Sequence, residues 1–232
     1  MKKLKEIKHN FGKHVIIYDG AQIDESVEIG PFTIIFPNVI IKKNVVIASS
    51  CIIGKPPSVG KNQMALCDLK DLTILDENIY VGDQSIIYSG VKVGSNSYLA
   101  DRSFLRENAV IENDVVIGTG AVISFNAHIG SRSKIMTGSN IAGNMIIGKD
   151  SFIGVHVCSV TDNNPFANDP RNLHKGPVIG NKVFIGSNVS LLPGINIVDK
   201  ITVGAGSVVT KDLLESNSIY MGIPAKKIIT KN

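Results

Sequence analysis

Tryptophan is absent from the 232 residues and aromatic side chains supply only 6% of them, so any core must be filled by aliphatics rather than rings. Cysteine is scarce too: Cys51, Cys67 and Cys158 are an odd number without metal-ligand or redox spacing. That excludes a disulfide framework and suits reduced thiols, with Cys51 on a core position. No apolar run reaches the roughly 18 residues needed to span a bilayer, and the N-terminus lacks the apolar segment of a signal peptide, so a cytoplasmic location is expected. Charge of one sign is also lacking. The net +4 comes partly from Lys2, Lys3, Lys5, Lys8 and Lys13, which is too little to point to nucleic acid.

What is abundant is a spacing of six. Ile23, Ile29, Ile35, Ile41, Ile47 and Ile53 form one aliphatic series, and Leu75, Val81 and Ile87 open a second that runs unbroken to Ile153. A third runs from Ile179 through Ile185, Leu191, Ile197 and Val203 to Val209. Four residues after each aliphatic the side chain is usually small or β-branched, as at Ser85, Ser97, Ala109, Ala121 and Ser133. Large and small side chains therefore alternate on an inward face, as a narrow solenoid requires. A helix would smear a six-residue repeat around its cylinder, and an ordinary hairpin sheet would sustain two-residue alternation. Short strands joined by corners remain, and three per coil give 18-residue turns, about eight of them.

The expected organisation is a basic lead segment with the approach to the first coil over 1–22, a repeat β-helix over 23–214 and a C-terminal cap over 215–232. Two stretches break the phase, 55–73 and 160–177. Lys55-Pro56-Pro57 marks the first, and Asn163-Asn164-Pro165, Asp169-Pro170 and Gly176-Pro177 mark the second. Both read as loops thrown out of the solenoid, where function concentrates.

Ile185-Gly186-Ser187-Asn188, Leu191-Leu192-Pro193-Gly194 and the run from Val203 to Asp212 resemble the closing coils of hexapeptide-repeat acyltransferases, and Met221-Gly222-Ile223-Pro224-Ala225-Lys226-Lys227 is similar to their C-terminal motif. Arg106-Glu107-Asn108, Ile117-Gly118-Thr119 and Thr161-Asp162-Asn163 resemble the members that acylate sugars, especially amino sugars attached to a nucleotide. The resemblance covers roughly residues 74–228. It implies an all-β, left-handed parallel β-helix of triangular coils, against the usual right-handed crossover. It also implies a homotrimer with acetyl-CoA or another acyl-CoA as co-substrate in a groove between subunits, no metal and a small-molecule sugar nucleotide as acceptor.

Departures from the family pattern are informative. Phe125 stands where lipid A-type acyltransferases hold a catalytic His, Asn188 where galactoside-type O-acetyltransferases do, and Asp101 where relatives with the Arg-Glu-Asn motif often do. A sugar hydroxyl needs a positioned base, typically worth about 10²–10⁴-fold, whereas a neutral amine is already nucleophilic. The missing imidazoles thus favour transfer to nitrogen. By 18-residue counting, Asn108, Asn126, Asn144 and Asp162 fall in one column and Glu107, Phe125, Gly143 and Thr161 in the next. The asparagines, with Arg106 and Asn163, are candidates for sugar binding, although asparagine equally suits a corner.

Asp162, His156 and Asp101 are candidate bases and Glu107 an orienting carboxylate or a plain ion pair. Gly143 matches, by resemblance, a glycine whose N–H polarises the thioester carbonyl. His128 is expected at a corner, and His9 and His14 lack a third metal ligand nearby. For the cofactor, Lys226, Lys227 and Lys211, helped by Arg171, are placed for phosphates, and Gly186, Ser187, Gly204 and Ala205 allow close approach of pantetheine. The expected function is N-acylation of a nucleotide-linked amino-deoxysugar. O-acetylation, a γ-type carbonic anhydrase and a non-catalytic scaffold are the alternatives.

Overall fold

The computed structural model describes residues 10–58, 72–162 and 175–228. Two-residue strands dominate, and each carries one outward and one inward side chain. In Val122–Ile123 the isoleucine is fully buried, and in Phe152–Ile153 the pattern repeats. The strands form three parallel sheets of twelve, ten and nine strands, here called A, B and C. Successive strands go to A, B and C in turn, so the chain winds as a three-sided solenoid of about ten turns. The aliphatic series undercounts these because coiling already begins at Asn10–Phe11 and Ile16–Ile17. All three series point inward from Ile29 onward, with Leu105, Ile123 and Ile141 at 0% exposure.

The corners explain the period. Three residues after most inward aliphatics the backbone enters the left-handed region, as at Asn108 (φ 58°), Asn126 (54°), Asn144 (56°) and His156 (54°). Asparagine is frequent there because its short amide tolerates that conformation. The N–H of each left-handed residue donates back to the previous coil, as Asn126 does to the Glu107 carbonyl at 3.0 Å. Strand N–H groups donate forward, as Val122 does to the Ser139 carbonyl at 2.9 Å. One residue past the Val116–Ile117 strand there is no room for a side chain: a Cβ on Gly118 would lie 2.4 Å from the Thr137 nitrogen in the next coil.

Buried serines at the small inward position mend the ladder. The Ser133 hydroxyl donates to the Gly148 carbonyl (2.8 Å) and accepts from the Ser151 N–H (3.0 Å), so its burial costs no unpaired polar group. Cys51 takes the same inward position, and burial pushes its thiol up to about 11, the core role expected of it. At the far end Ile219–Met221 extends sheet A, and Lys226–Lys227 folds back on it antiparallel. No helix among the described residues is long and apolar enough to cross a membrane.

Both phase breaks leave from one edge. The first lies between Ile52–Lys55 of sheet B and Thr73–Leu75 of sheet C, and the second between Cys158–Ser159 of sheet B and Val178–Ile179 of sheet C. Register resumes after each, with Ile53 beside Ile87 and Ile153 beside Ile185.

The inward series predicts a position-specific stability profile. Ile123→Ala should cost about 2–5 kcal/mol, while Val122→Ala on the outward face should cost about 1 kcal/mol or less, measured by urea denaturation. Equal losses at the two positions would contradict the inward–outward assignment.

Candidate functional site

Four corners of the B–C edge lie between the two loops, and they bring together most of the polar residues singled out above. Leu105 ends a sheet B strand, and Arg106, Glu107 and Asn108 turn the chain into Val110–Ile111 of sheet C. Arg106 clamps Glu107 with two hydrogen bonds, Nε to Oε2 at 2.7 Å and Nη2 to Oε1 at 2.6 Å. Glu107 is only 1% exposed and Asn108 5%, whereas Arg106 keeps 31% of its side chain in solvent. A buried carboxylate needs this kind of paired, bidentate partner.

Above them the Asn108 amide donates to Asn126 Oδ1 (3.2 Å), and the Asn126 amide donates to Asn144 Oδ1 (3.0 Å). In the adjacent column the Phe125 ring packs on Gly143, where an added Cβ would fall 2.4 Å from the ring tip. Asp162 sits where the chain leaves the edge. Cys158 still pairs with Asn140 one coil below, but Val178 pairs with Ile146, so the second loop is inserted at this corner. Asn163 lies outside the described residues, as do Arg171, His174, His9 and Cys67.

An amide ladder is not peculiar to this edge. Asn44, Asn78 and Asn96 bond in the same way at the C–A edge, ending on Asp114. That ladder is exposed and continues into Arg132, which pairs with Asp150 at 2.6 Å. The B–C ladder differs by the buried Glu107–Asn108 pair at its foot and by the loops that bracket it.

The remaining candidates occupy the A–B edge. His156, exposed, stacks over Gly138, whose Cβ would meet the imidazole at 2.4 Å. The coil above places Asn188 in the same column, its N–H bonded to the Val155 carbonyl at 2.9 Å. Gly186, Ser187, Gly204 and Ala205 follow along this edge toward the C-terminal end. Asp101 is on the same edge three coils below His156, and its carboxylate accepts the Asp83 N–H at 3.0 Å. Lys226 and Lys227 are exposed on the terminal strand, with Lys227 paired to Glu215. Lys211 lies at the last B–C corner. The site residues therefore divide between two edges of one chain.

Three features escaped the sequence. Lys55 and Arg106 lie over the Tyr88 ring, 5.3 and 5.5 Å from its centroid, and Phe104 meets that ring edge-on. His128 stands in a sheet C strand, not at a corner, with Nε2 2.8 Å from Glu112 Oε1. Ser131 donates its hydroxyl (2.6 Å) and its N–H (2.9 Å) to the other Glu112 oxygen. The Ser131 hydroxyl, then His128, hold the Glu112 carboxyl down at about 2. The Glu112–His128 pair is 16 residues apart, off the 18-residue columns in which His128 stands beside Val110, so coil counting does not announce it. Cys158 faces outward between Asn140 and Ser190. Among the described residues no three His, Cys, Asp or Glu side chains group as metal ligands, and His14 stacks on Phe32 at 5.3 Å.

Comparison with known proteins places the repeat. The family profile described as hexapeptide repeat of succinyl-transferase matches residues 178–211. The galactoside O-acetyltransferase of Escherichia coli is 48% identical over 50 residues, 22% of this chain and 24% of that protein. A probable macrolide acetyltransferase of Lysinibacillus sphaericus is 51% identical over 51 residues, 22% of this chain and 28% of that one. The chain thus spans about a quarter of the length of these curated relatives. Among solved structures, the UDP-N-acetylglucosamine O-acyltransferase of Moraxella catarrhalis aligns over 94% of this chain and 74% of its own, with TM-score 0.56 and 22% identity, a likeness of fold. The chain is built of the hexapeptide repeat, and the proteins it resembles are acyltransferases.

Two outcomes follow from the site electrostatics. Arg106→Met leaves the buried Glu107 carboxylate without its clamp and should cost roughly 3 kcal/mol in thermal or urea unfolding, more than Glu107→Gln, whose removal leaves a charge that can turn to water. Glu112 has a folded pKa below its ordinary 4.5, so its contribution is present above that value and is lost as pH falls toward about 2. Its side chain is 42% exposed, which screens the effect. Denaturation midpoints between pH 5 and 2.5 should therefore fall slightly less steeply for Glu112→Gln than for the wild type.

Proposed function

We propose that the chain transfers an acyl group, acetyl in the first instance, from an acyl-CoA thioester to the amine of a nucleotide-linked amino-deoxysugar bound along the B–C edge. The observation that carries this reading is the make-up of that edge. Amides and a clamped carboxylate line it, an insertion leaves the solenoid at each end of it, and no histidine lies on it among the described residues. Such an edge binds hydroxyls and orients an ammonium, but it offers no imidazole to deprotonate an alcohol. Phe125 fills the space where one would stand.

In the proposed reaction the neutral amine attacks the thioester carbonyl. The C–N bond forms, the C–S bond breaks, and the thiolate leaves as the free thiol of CoA after taking up the proton that the amine releases. Asp162 receives that proton or orients the amine; Gly143 supplies an N–H to the oxyanion. Asn108, Asn126 and Asn144, with Asn163, hold the sugar, and Arg106 keeps Glu107 in position. Pantetheine runs along Gly186, Ser187, Gly204 and Ala205, with Lys211, Lys226 and Lys227 toward the phosphates.

The pantetheine residues Gly186, Ser187, Gly204 and Ala205 lie on a different edge from the sugar-binding asparagines. The reading therefore takes the working form to be a homotrimer in which the A–B edge of one subunit faces the B–C edge of the next. A second reading, O-acetylation with His156 as base on the A–B edge, rests on the exposed imidazole there.

The test is a panel of nucleotide-linked amino sugars and their hydroxyl counterparts incubated with acetyl-CoA, with thiol release and product mass as readouts. Amide formation with an amino sugar, an unreactive hydroxyl counterpart and a loss of about a hundredfold in kcat for Asp162→Asn are the expected results. Turnover confined to hydroxyl acceptors and abolished by His156→Ala would replace this reading with the second one.

A further inference from the structure

The B–C edge is electrically polar along its length. At the first-loop end stand Lys55 and Arg106, both over the Tyr88 ring, with Glu107 clamped to Arg106. Among the described residues at that end, two cations stand with one carboxylate. Arg106 is engaged by Glu107 at 2.6 and 2.7 Å, whereas Lys55 makes no ion pair with a carboxylate among the described residues. The middle of the edge is the neutral ladder Asn108–Asn126–Asn144. At the second-loop end stands the acidic Asp162. From the Tyr88 corner to the Gly143 corner is three coils, roughly 14 Å at the spacing of parallel strands.

A nucleotide-linked amino sugar has the same polarity in complement, with a dianionic diphosphate at one end of the hexose and a basic amine at the other. We propose that Lys55, braced by Tyr88 and Arg106, binds the diphosphate, so that the acceptor lies along the edge with its phosphates at the first loop and its amine at the second. This assignment rests on the B–C edge being the acceptor site. It sets the direction of the substrate in that site and makes Lys55 a specificity residue for diphosphate-linked over free sugars. The brace matters because a lysine side chain loses much conformational freedom when it binds. Packing the ammonium on Tyr88 beforehand, with Arg106 also over that ring and Phe104 against it edge to face, removes part of that cost.

The experiment is calorimetric titration of the full chain with uridine diphosphate and with inorganic pyrophosphate, for the wild type, Lys55→Gln and Lys92→Gln. Lys92 is an exposed cation on the outward face of sheet C and serves as the control for general charge. The expected result is a loss of roughly tenfold in affinity for both anions in Lys55→Gln, none in Lys92→Gln, and unchanged acetyl-CoA binding in both. Equal weakening in the two variants, no effect of Lys55→Gln, or no binding of either anion to the wild type would each overturn the subsite. If Lys55→Gln weakens both anions while no amino sugar is acylated, the subsite stands and the proposed chemistry falls. Amide formation with an unaltered diphosphate affinity in Lys55→Gln gives the reverse.

Discussion

Each coil closes by holding one residue per corner in the left-handed region, and the rest of the molecule is arranged around that requirement. Non-glycine residues pay a local steric penalty there, about 1–2 kcal/mol each, and twenty of them among the described residues do so at φ between 54° and 61°. The offset is cooperative: the N–H of such a residue reaches back to the previous coil while the strand before it reaches forward to the next. A corner is therefore stable only in a stack, and a stack forces corner residues into columns one strand spacing apart. Whatever sits at a corner must tolerate its own kind, or a complementary partner, directly above and below.

That constraint accounts for the polar chemistry of the edges. Amides satisfy one another in series, which is why ladders appear at two edges, and charges appear in alternation, as in Asp114, Arg132 and Asp150. One edge carries something the stacking rule does not supply. At the B–C edge it is the buried Glu107, a charge that the ladder alone could not keep and that Arg106 must neutralise. It is also the insertion of both loops. Ile53 pairs with Ile87, 34 residues on instead of 18, and Ile153 with Ile185, 32 on, so 16 and 14 residues are added without disturbing the inward register. A solenoid tolerates this because each coil contacts only its neighbours.

The inward series was legible because it depends on one side chain at a time. Ile87, Leu105, Ile123 and Ile141 are buried wherever the neighbouring coils are, and a period of six reveals them without any knowledge of the loops. The columns Asn108–Asn126–Asn144 and Glu107–Phe125–Gly143 were legible for the same reason, since no insertion interrupts those coils. Beyond an insertion the count loses its meaning. Lys55 reaches Tyr88 only through the first loop and a register shift in sheet B, so no fixed spacing announces the pair. Nor does period six say which of three edges a residue occupies, and that is how Asp101 and His156 came to be grouped with Asp162 although they stand on another edge.

The division between edges bears on the chemistry more than any single residue does. Adjacent corners of one coil are separated by a whole strand, with the solenoid wall between them, so a thioester laid against Gly186 and Ala205 cannot reach a sugar held by Asn126 on the same chain by rotating side chains. If both assignments hold, the reacting atoms meet only where two copies bring unlike edges together, and the isolated chain is then a half-site twice over. Such an arrangement relaxes what either edge must provide. On the proposed reading the acceptor edge can dispense with an imidazole, and Phe125 packs on Gly143 in its place, because an amine needs orientation more than deprotonation, and orientation is what a rigid ladder between two loops supplies.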